Sequence, residues 1–233
     1  MKTRPFSVGS YVHVMKRGTR KMPIVHDTSD MDRFIHMLYY FNDEYCDENW
    51  HRSLLDANLL STWQRLPYWP ERKPLVKIIF FCLMPNHFHL LLQEIQEGGI
   101  GKFMLRLGNG MTKSYNQKYK TTGSLFEGKY KDRVVEEDDY LRYLSAYIML
   151  KNPFELYDGG MGKAFNEYDK AYEFAKNYKY CSLGDCFDER RFPIIEQNFI
   201  EDLFENEDEF KRVAKDLLSG KYFIENEEFK FLE

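Results

Sequence analysis

Two histidines, His87 and His89, interrupt the apolar run "FFCLMPNHFHLLLQE" between Phe80 and Glu94. Residues two apart on a strand point to one face, so the two imidazoles would lie side by side with Leu91 and Gln93, and Phe88, Leu90 and Leu92 would face the other way. Imidazoles so related can share one divalent ion. The pair alone is a weak signal, because two half-buried histidines, each hydrogen-bonded to a neighbour, would read the same way. Further along, "DDYLRYLSAYIMLKNP" carries Tyr140, Tyr143 and Tyr147, whose spacing lines them up on one face of a helix. A phenol, with its ordinary pKa of about 10, is a poor nucleophile at neutral pH. A phosphate polarised by a metal ion would accept its attack, since a Lewis acid stabilises the charge that develops. The covalent product, a phosphotyrosine, conserves bond energy for rejoining. The plainer reading of an aromatic stripe is core packing, expected for at least one of the three.

The elements that must hold these side chains follow from periodicity. Ser10–Arg17 alternates as a strand. A helix follows from Thr28, Ser29 or Asp30 as cap, with Phe34, Leu38 and Phe41 on its apolar face. A polar, Trp-containing connection over 46–74 leads to Leu75–Met84, a near-continuous apolar run typical of a central strand. Pro85 and Asn86 turn the chain into a second hairpin strand, His87–Glu94. Phe103, Leu107, Met111 and Tyr115, spaced by four, predict a helix despite Gly108 and Gly110. Tyr130–Val135 predicts a strand, and Asp138 opens a last helix that Pro153 is expected to end. The order βαββαβ, then a helix, predicts a ferredoxin-like α+β fold. Its antiparallel sheet carries two helices on one face, which leaves the histidine face for the tyrosine helix to cover. Short helices are expected over 154–200, and an acidic tail of unknown role over 201–233.

The net charge of −4 argues against a nucleic-acid partner until its distribution is considered. Residues 201–233 hold 11 acidic and 5 basic side chains, which leaves the rest slightly basic. Between Gly98 and Val135 there are 8 basic residues against 2 acidic, and Lys16, Arg17, Arg20 and Lys21 form a second cluster. No apolar run is long enough to span a membrane, and the first residues lack the pattern of a secretory signal. Four scattered cysteines offer no second pair for a zinc site, so a reduced, cytoplasmic protein is the expectation.

The segment "MPNHFHLLL" resembles the His-hydrophobic-His motif of single-tyrosine transposases, in the insertion-sequence-200-like branch that includes the REP-associated tyrosine transposases. In the same order, "YVHVMKRG" is similar to that family's first strand, "GSLFEGKYK" to its approach to the last strand, and "YLRYLSAYIMLKNP" to its catalytic helix. The resemblance runs from Ser10 to Pro153 and implies a transposase domain over 1–153. It implies that His87 and His89 bind Mg²⁺ or Mn²⁺, and that Tyr147 cuts single-stranded or hairpin DNA, becoming linked to a 5′-phosphate and freeing a 3′-OH. A polar residue one turn beyond the tyrosine usually completes the metal site. Here Lys151 stands at that place and Asn152 lies one further on. A π-bulge or helix end would restore Asn152 as third ligand; otherwise water or another residue serves, and Lys151 could hold a phosphate. Lys16, Arg17, Arg20, Lys21, Lys102, Arg106, Lys113, Lys129, Lys131 and Arg133 are the expected DNA contacts. A monomer or a homodimer fits. Two alternatives stay open: a domesticated DNA-binding protein of this fold without catalysis, and a metal-dependent nuclease that uses water.

Overall fold

The computed structural model describes residues 6–188 and 190–221. Residues 222–233, the end of the expected acidic tail, lie outside the described residues. The first strand, β1 (Tyr11–Arg17), leads through a 3-10 turn (Thr19–Lys21) to α1 (Thr28–Tyr40) and the short α2 (Trp50–Asp56). β2 (Val76–Leu83) and β3 (His87–Glu94) form the hairpin, α3 (Gly99–Tyr119) follows, and β4 (Lys131–Val135) completes the sheet. Then come α4 (Asp138–Ala146), a π turn (Tyr147–Lys151) and α5 (Asn152–Glu155). The rest is α6 (Gly160–Asn166), α7 (Tyr168–Asn177), α8 (Leu183–Phe187), α9 (Phe199–Leu203), α10 (Glu207–Asp216) and a second π turn (Leu217–Lys221).

The sheet order is β2-β3-β1-β4 with all pairs antiparallel, the ferredoxin-like arrangement. Val12, Val14, Phe88, Leu90 and Leu92 are fully buried on one face, where Phe88 meets Phe34 of α1 with ring centroids 5.2 Å apart. α3 is anchored on the same side: buried Glu94, at the end of β3, accepts hydrogen bonds from the N–H groups of Gly99 (3.0 Å) and Ile100 (2.8 Å). A carboxylate there satisfies two orphan donors and complements the helix dipole. α1 is capped by Asp27, which accepts from the Asp30 N–H, rather than by the three residues expected. A β-region residue just ahead of the first helical turn is where a capping side chain can reach forward to the free N–H groups of that turn.

The opposite face carries the histidines and is closed by the C-terminal half. The π turn packs on β2 and β3, and Phe199 of α9 meets Tyr11 and Phe80 at 5.2 and 6.0 Å. Residues 180–182 also pair along the outer edge of β2: Leu83 donates to the Tyr180 carbonyl and Ser182 to that of Phe81, with a further bridge between Ile78 and Ile195. α10 docks through fully buried Phe210, and Arg142 of α4 reaches it through Glu209 at 2.8 Å. The segment after Pro153 therefore shares one core with the sheet.

The helix does not end at Pro153. It widens instead, through a π turn, and continues to Glu155. Proline lacks the N–H that would bond back to the preceding turn, and its ring crowds that turn's carbonyl. A single wide turn relieves the crowding. The N–H of Asn152 bonds to the carbonyl of Tyr147, five residues back. Ile148, which loses its N–H donor to the proline, is served by the Asn152 side-chain amide (3.5 Å) and the Cys181 thiol (3.8 Å).

Candidate active site on the histidine face

Cross-strand partners in an antiparallel ladder share a face. Reading across the sheet, Cys82, His89, Met15 and Lys131 form one row. Leu91, His13 and Arg133 form the next, and His87 stands opposite Arg17. β3 thus presents both expected histidines beside a third, His13. The His87 and His89 rings meet edge to face, with centroids 4.9 Å apart. His13 Nε2 and His89 Nδ1 lie 3.0 Å apart in a hydrogen bond. Desolvation by burial pushes His87 down to about 4 and His13 to about 3, and holds His89 well below its ordinary value. At His87 the Glu155 carboxylate opposes the shift, while the cations Lys151 and Arg17 add to it. All three imidazoles are neutral at physiological pH, the form that binds metal.

The π turn brings Tyr147 onto His89: the rings meet edge to face at 5.4 Å, and Tyr147 is only 3% exposed. Tyr143 and Tyr140 continue the stripe, with centroid spacings of 6.2 Å, and both are buried. The packing role expected of at least one tyrosine falls to these two. Arg133 lies over the Tyr140 ring at 4.5 Å. Lys151 covers the Tyr147 ring at 4.9 Å and pairs with Glu155 at 2.6 Å. Burial acts to lower the Lys151 ammonium, but Tyr147 and Glu155 outweigh it and leave it raised.

Asn152 is fully buried, and its Oδ1 has no hydrogen-bond partner among the described residues. A π turn accommodates one residue more than an α turn, so position 152 takes the place that i+4 would hold relative to Tyr147. Among the described residues no three His, Cys, Asp or Glu side chains converge as a metal site. Two neutral imidazoles and a buried, unpaired amide oxygen are nonetheless a donor set that suits Mg²⁺ or Mn²⁺.

The expected DNA contacts are divided between the two faces. Arg17, Lys129 and Lys131 line a cavity of about 260 Å³ with Met15, Glu127 and Gly128, on the histidine face. Arg17 also forks onto Glu127 at 3.2 Å. Arg20 and Lys21 are exposed on the turn after β1, both in the left-handed region (φ 55° and 60°). That strain is of order 1–3 kcal/mol per residue. The turn depends on Gly18, where a Cβ would come within 2.2 Å of the Met22 carbonyl oxygen. Lys16 points to the helical face, where its ammonium donates to the Gly128 carbonyl. Lys113 lines a separate groove of about 650 Å³ with Arg33, His51 and Lys118. Lys102 is exposed near the start of α3, and Arg106 is occupied with the carbonyls of Asp43 and Glu44. His13, Asn86 and Glu155 were not expected at the site. His13 stands alone in "YVHV", and only the β1–β3 register joins it to His89.

Residues 52–151 match the family described as IS200-like transposase. That segment holds β2, β3 with both histidines, α3, β4 and the tyrosine helix, and stops one residue before Asn152. The transposase match does not reach β1, where His13 lies. Among solved structures, the chain is similar to a REP-associated tyrosine transposase bound to a REP hairpin. The identity is 7% and the TM-score 0.41, over 79% of this chain and 82% of that one. No curated protein sequence matches the chain. No helix among the described residues is long and apolar enough to cross a membrane.

Proposed function

We propose that this chain cuts and rejoins single-stranded or hairpin DNA through a 5′-phosphotyrosine at Tyr147. The observation that carries the reading is the edge-to-face seat of Tyr147 on His89, made by the π turn. In the cutting step the Tyr147 hydroxyl oxygen attacks the phosphorus and its proton passes to solvent. The bond from phosphorus to the 3′ oxygen breaks, and that oxygen leaves as a protonated 3′-OH. Rejoining is the reverse, with a 3′-OH attacking the phosphotyrosine. His87, His89 and Asn152 would hold Mg²⁺ or Mn²⁺, which supplies Lewis-acid stabilisation of the charge on the scissile phosphate. Lys151, beside the phenol ring, favours its ionised form electrostatically. Arg17, Lys129 and Lys131 suit the flanking phosphates, which position the strand without reading its sequence. Arg20 and Lys21 extend this cationic surface. Function is carried by residues 1–153.

The test is a covalent-adduct assay with labelled single-stranded DNA bearing candidate hairpins and Mn²⁺ or Mg²⁺. A labelled band that survives denaturing electrophoresis, lost in Tyr147→Phe and in His87→Ala, is the expected result. A metal-dependent cut with no adduct, unaffected by Tyr147→Phe, would replace the tyrosine with water as nucleophile. A second reading has one observation in its favour: Tyr147 is buried and covered by Lys151. Tight, salt-sensitive DNA binding without any cleavage would then identify a DNA-binding protein that keeps the transposase fold.

A further inference from the structure

Asn86, the residue between Pro85 and the first histidine of the pair, makes two side-chain contacts that face in different directions. Its Oδ1 lies 2.7 Å from His87 Nδ1, and its Nδ2 donates to the Lys21 carbonyl at 3.2 Å. The second contact fixes the orientation of the amide, because a flipped group would set oxygen against oxygen. An amide oxygen only accepts, so His87 Nδ1 must carry the proton. The lone pair of that imidazole is then on Nε2. The backbone ties the same two segments together: the Gly18 N–H donates to the Asn86 carbonyl at 2.8 Å, and the Ile24 N–H to that of Pro85 at 2.8 Å. Between these anchors lie Arg20 and Lys21, the exposed cations with left-handed backbone.

We propose that Asn86 is a positioning residue for the metal site: it fixes His87 as the tautomer with Nε2 free to ligate, and couples that imidazole to the cationic Arg20–Lys21 turn. This rests on the reading of His87 as a metal ligand. Ligating histidines generally depend on an acceptor at the other ring nitrogen, and losing it typically weakens metal binding 10- to 100-fold. In this chain the acceptor is a neutral amide whose other end holds a turn suited to phosphate. Displacement of that turn by a bound strand would be felt at His87.

Two substitutions separate the roles. Asn86→Ala removes both contacts, whereas Asn86→Asp keeps an acceptor for His87 and loses the donor to Lys21. Mn²⁺ titration of the DNA-free protein, by calorimetry or paramagnetic resonance, is the first readout. The expected result is a 10- to 100-fold weaker dissociation constant in Asn86→Ala, with Asn86→Asp within a few-fold of the parent. The second readout is long-range ¹H–¹⁵N correlation of the histidine rings without metal, with His87→Ala used for assignment. The parent is expected to show His87 protonated on Nδ1, with that preference lost in Asn86→Ala and kept in Asn86→Asp. Folded Asn86→Ala with parental Mn²⁺ affinity, while His87→Ala loses binding, would overturn the proposal and leave the metal reading standing. A parent His87 protonated on Nε2 would overturn it directly. Failure of the parent to bind Mn²⁺ would overturn the metal reading and the ligand role given to Asn86 with it.

Discussion

At the scale of single residues, the site combines neutral imidazoles with a covered phenol. Removing the Tyr147 hydroxyl should abolish the adduct while leaving the thermal midpoint within a few degrees of the parent, because the ring that packs on His89 remains; a melt run beside the adduct gel checks both. The buried histidines make a separate prediction about acid. Their folded pKa values lie below the ordinary 6.5, at about 4 for His87 and about 3 for His13. Below pH 6.5 the unfolded chain therefore binds more protons than the folded one, so stability falls as pH falls. The loss runs from about pH 6.5 to 4 for His87 and on towards 3 for His13, which is fully buried. For His13 the slope is about 1.4 kcal/mol per pH unit. Denaturant melts at pH 7.5, 6.5, 5.5 and 4.5 test this; a flat profile would mean that these rings are solvated or charged in the folded state. The meeting of these side chains was legible in part: His87, His89 and Tyr147 were named from spacing and resemblance, and the fold brings their rings together. His13 and Asn86 were not, because a hydrogen bond between residues tens of positions apart has no local signature.

At the scale of elements, β3 spans the residues its alternation predicted, β1 and β4 start one residue later than expected, and β2 is one residue shorter at each end. Alternation and apolar runs are physical consequences of pleat and burial, so they read directly. The tyrosine helix was misjudged at its end. A proline inside a helix removes one N–H donor and crowds the preceding turn, at a cost that grows when the carbonyl left over is buried without a partner. Here Asn152 and Cys181 supply donors to the carbonyls of that turn, and the helix continues. Pro153→Ala should restore an N–H and favour the α register. The expected outcome is equal or greater stability, by about 1 kcal/mol, together with weaker Mn²⁺ binding and less adduct, since Asn152 would turn away from the Tyr147 side. Calorimetry and the adduct gel on one preparation would test it. Unchanged binding would remove Asn152 from the metal site.

At the scale of the whole molecule, sequence periodicity located the sheet and its two helices but not the role of the chain after Pro153. Short amphipathic segments there look peripheral, yet they close the histidine face and pair with β2. Phe210→Ala should cost about 3–5 kcal/mol, as a fully buried aromatic on which Phe204 and Phe187 pack. A chemical-denaturation curve of the full chain measures this, and a loss under 1 kcal/mol would show α10 to be dispensable to the core. The pairing along β2 has another side. "VKIIFFCL" is apolar at all but one position and would be an effective template for other strands if its outer edge were open. Residues 180–182 and 195–196 occupy that edge, so they also protect the chain from its own copies. A fragment ending at Pro153 would then fail by self-association rather than by simple unfolding: it would recruit further chains through β2, concentrate in inclusion bodies, and bind amyloid-sensitive dyes that the full chain ignores.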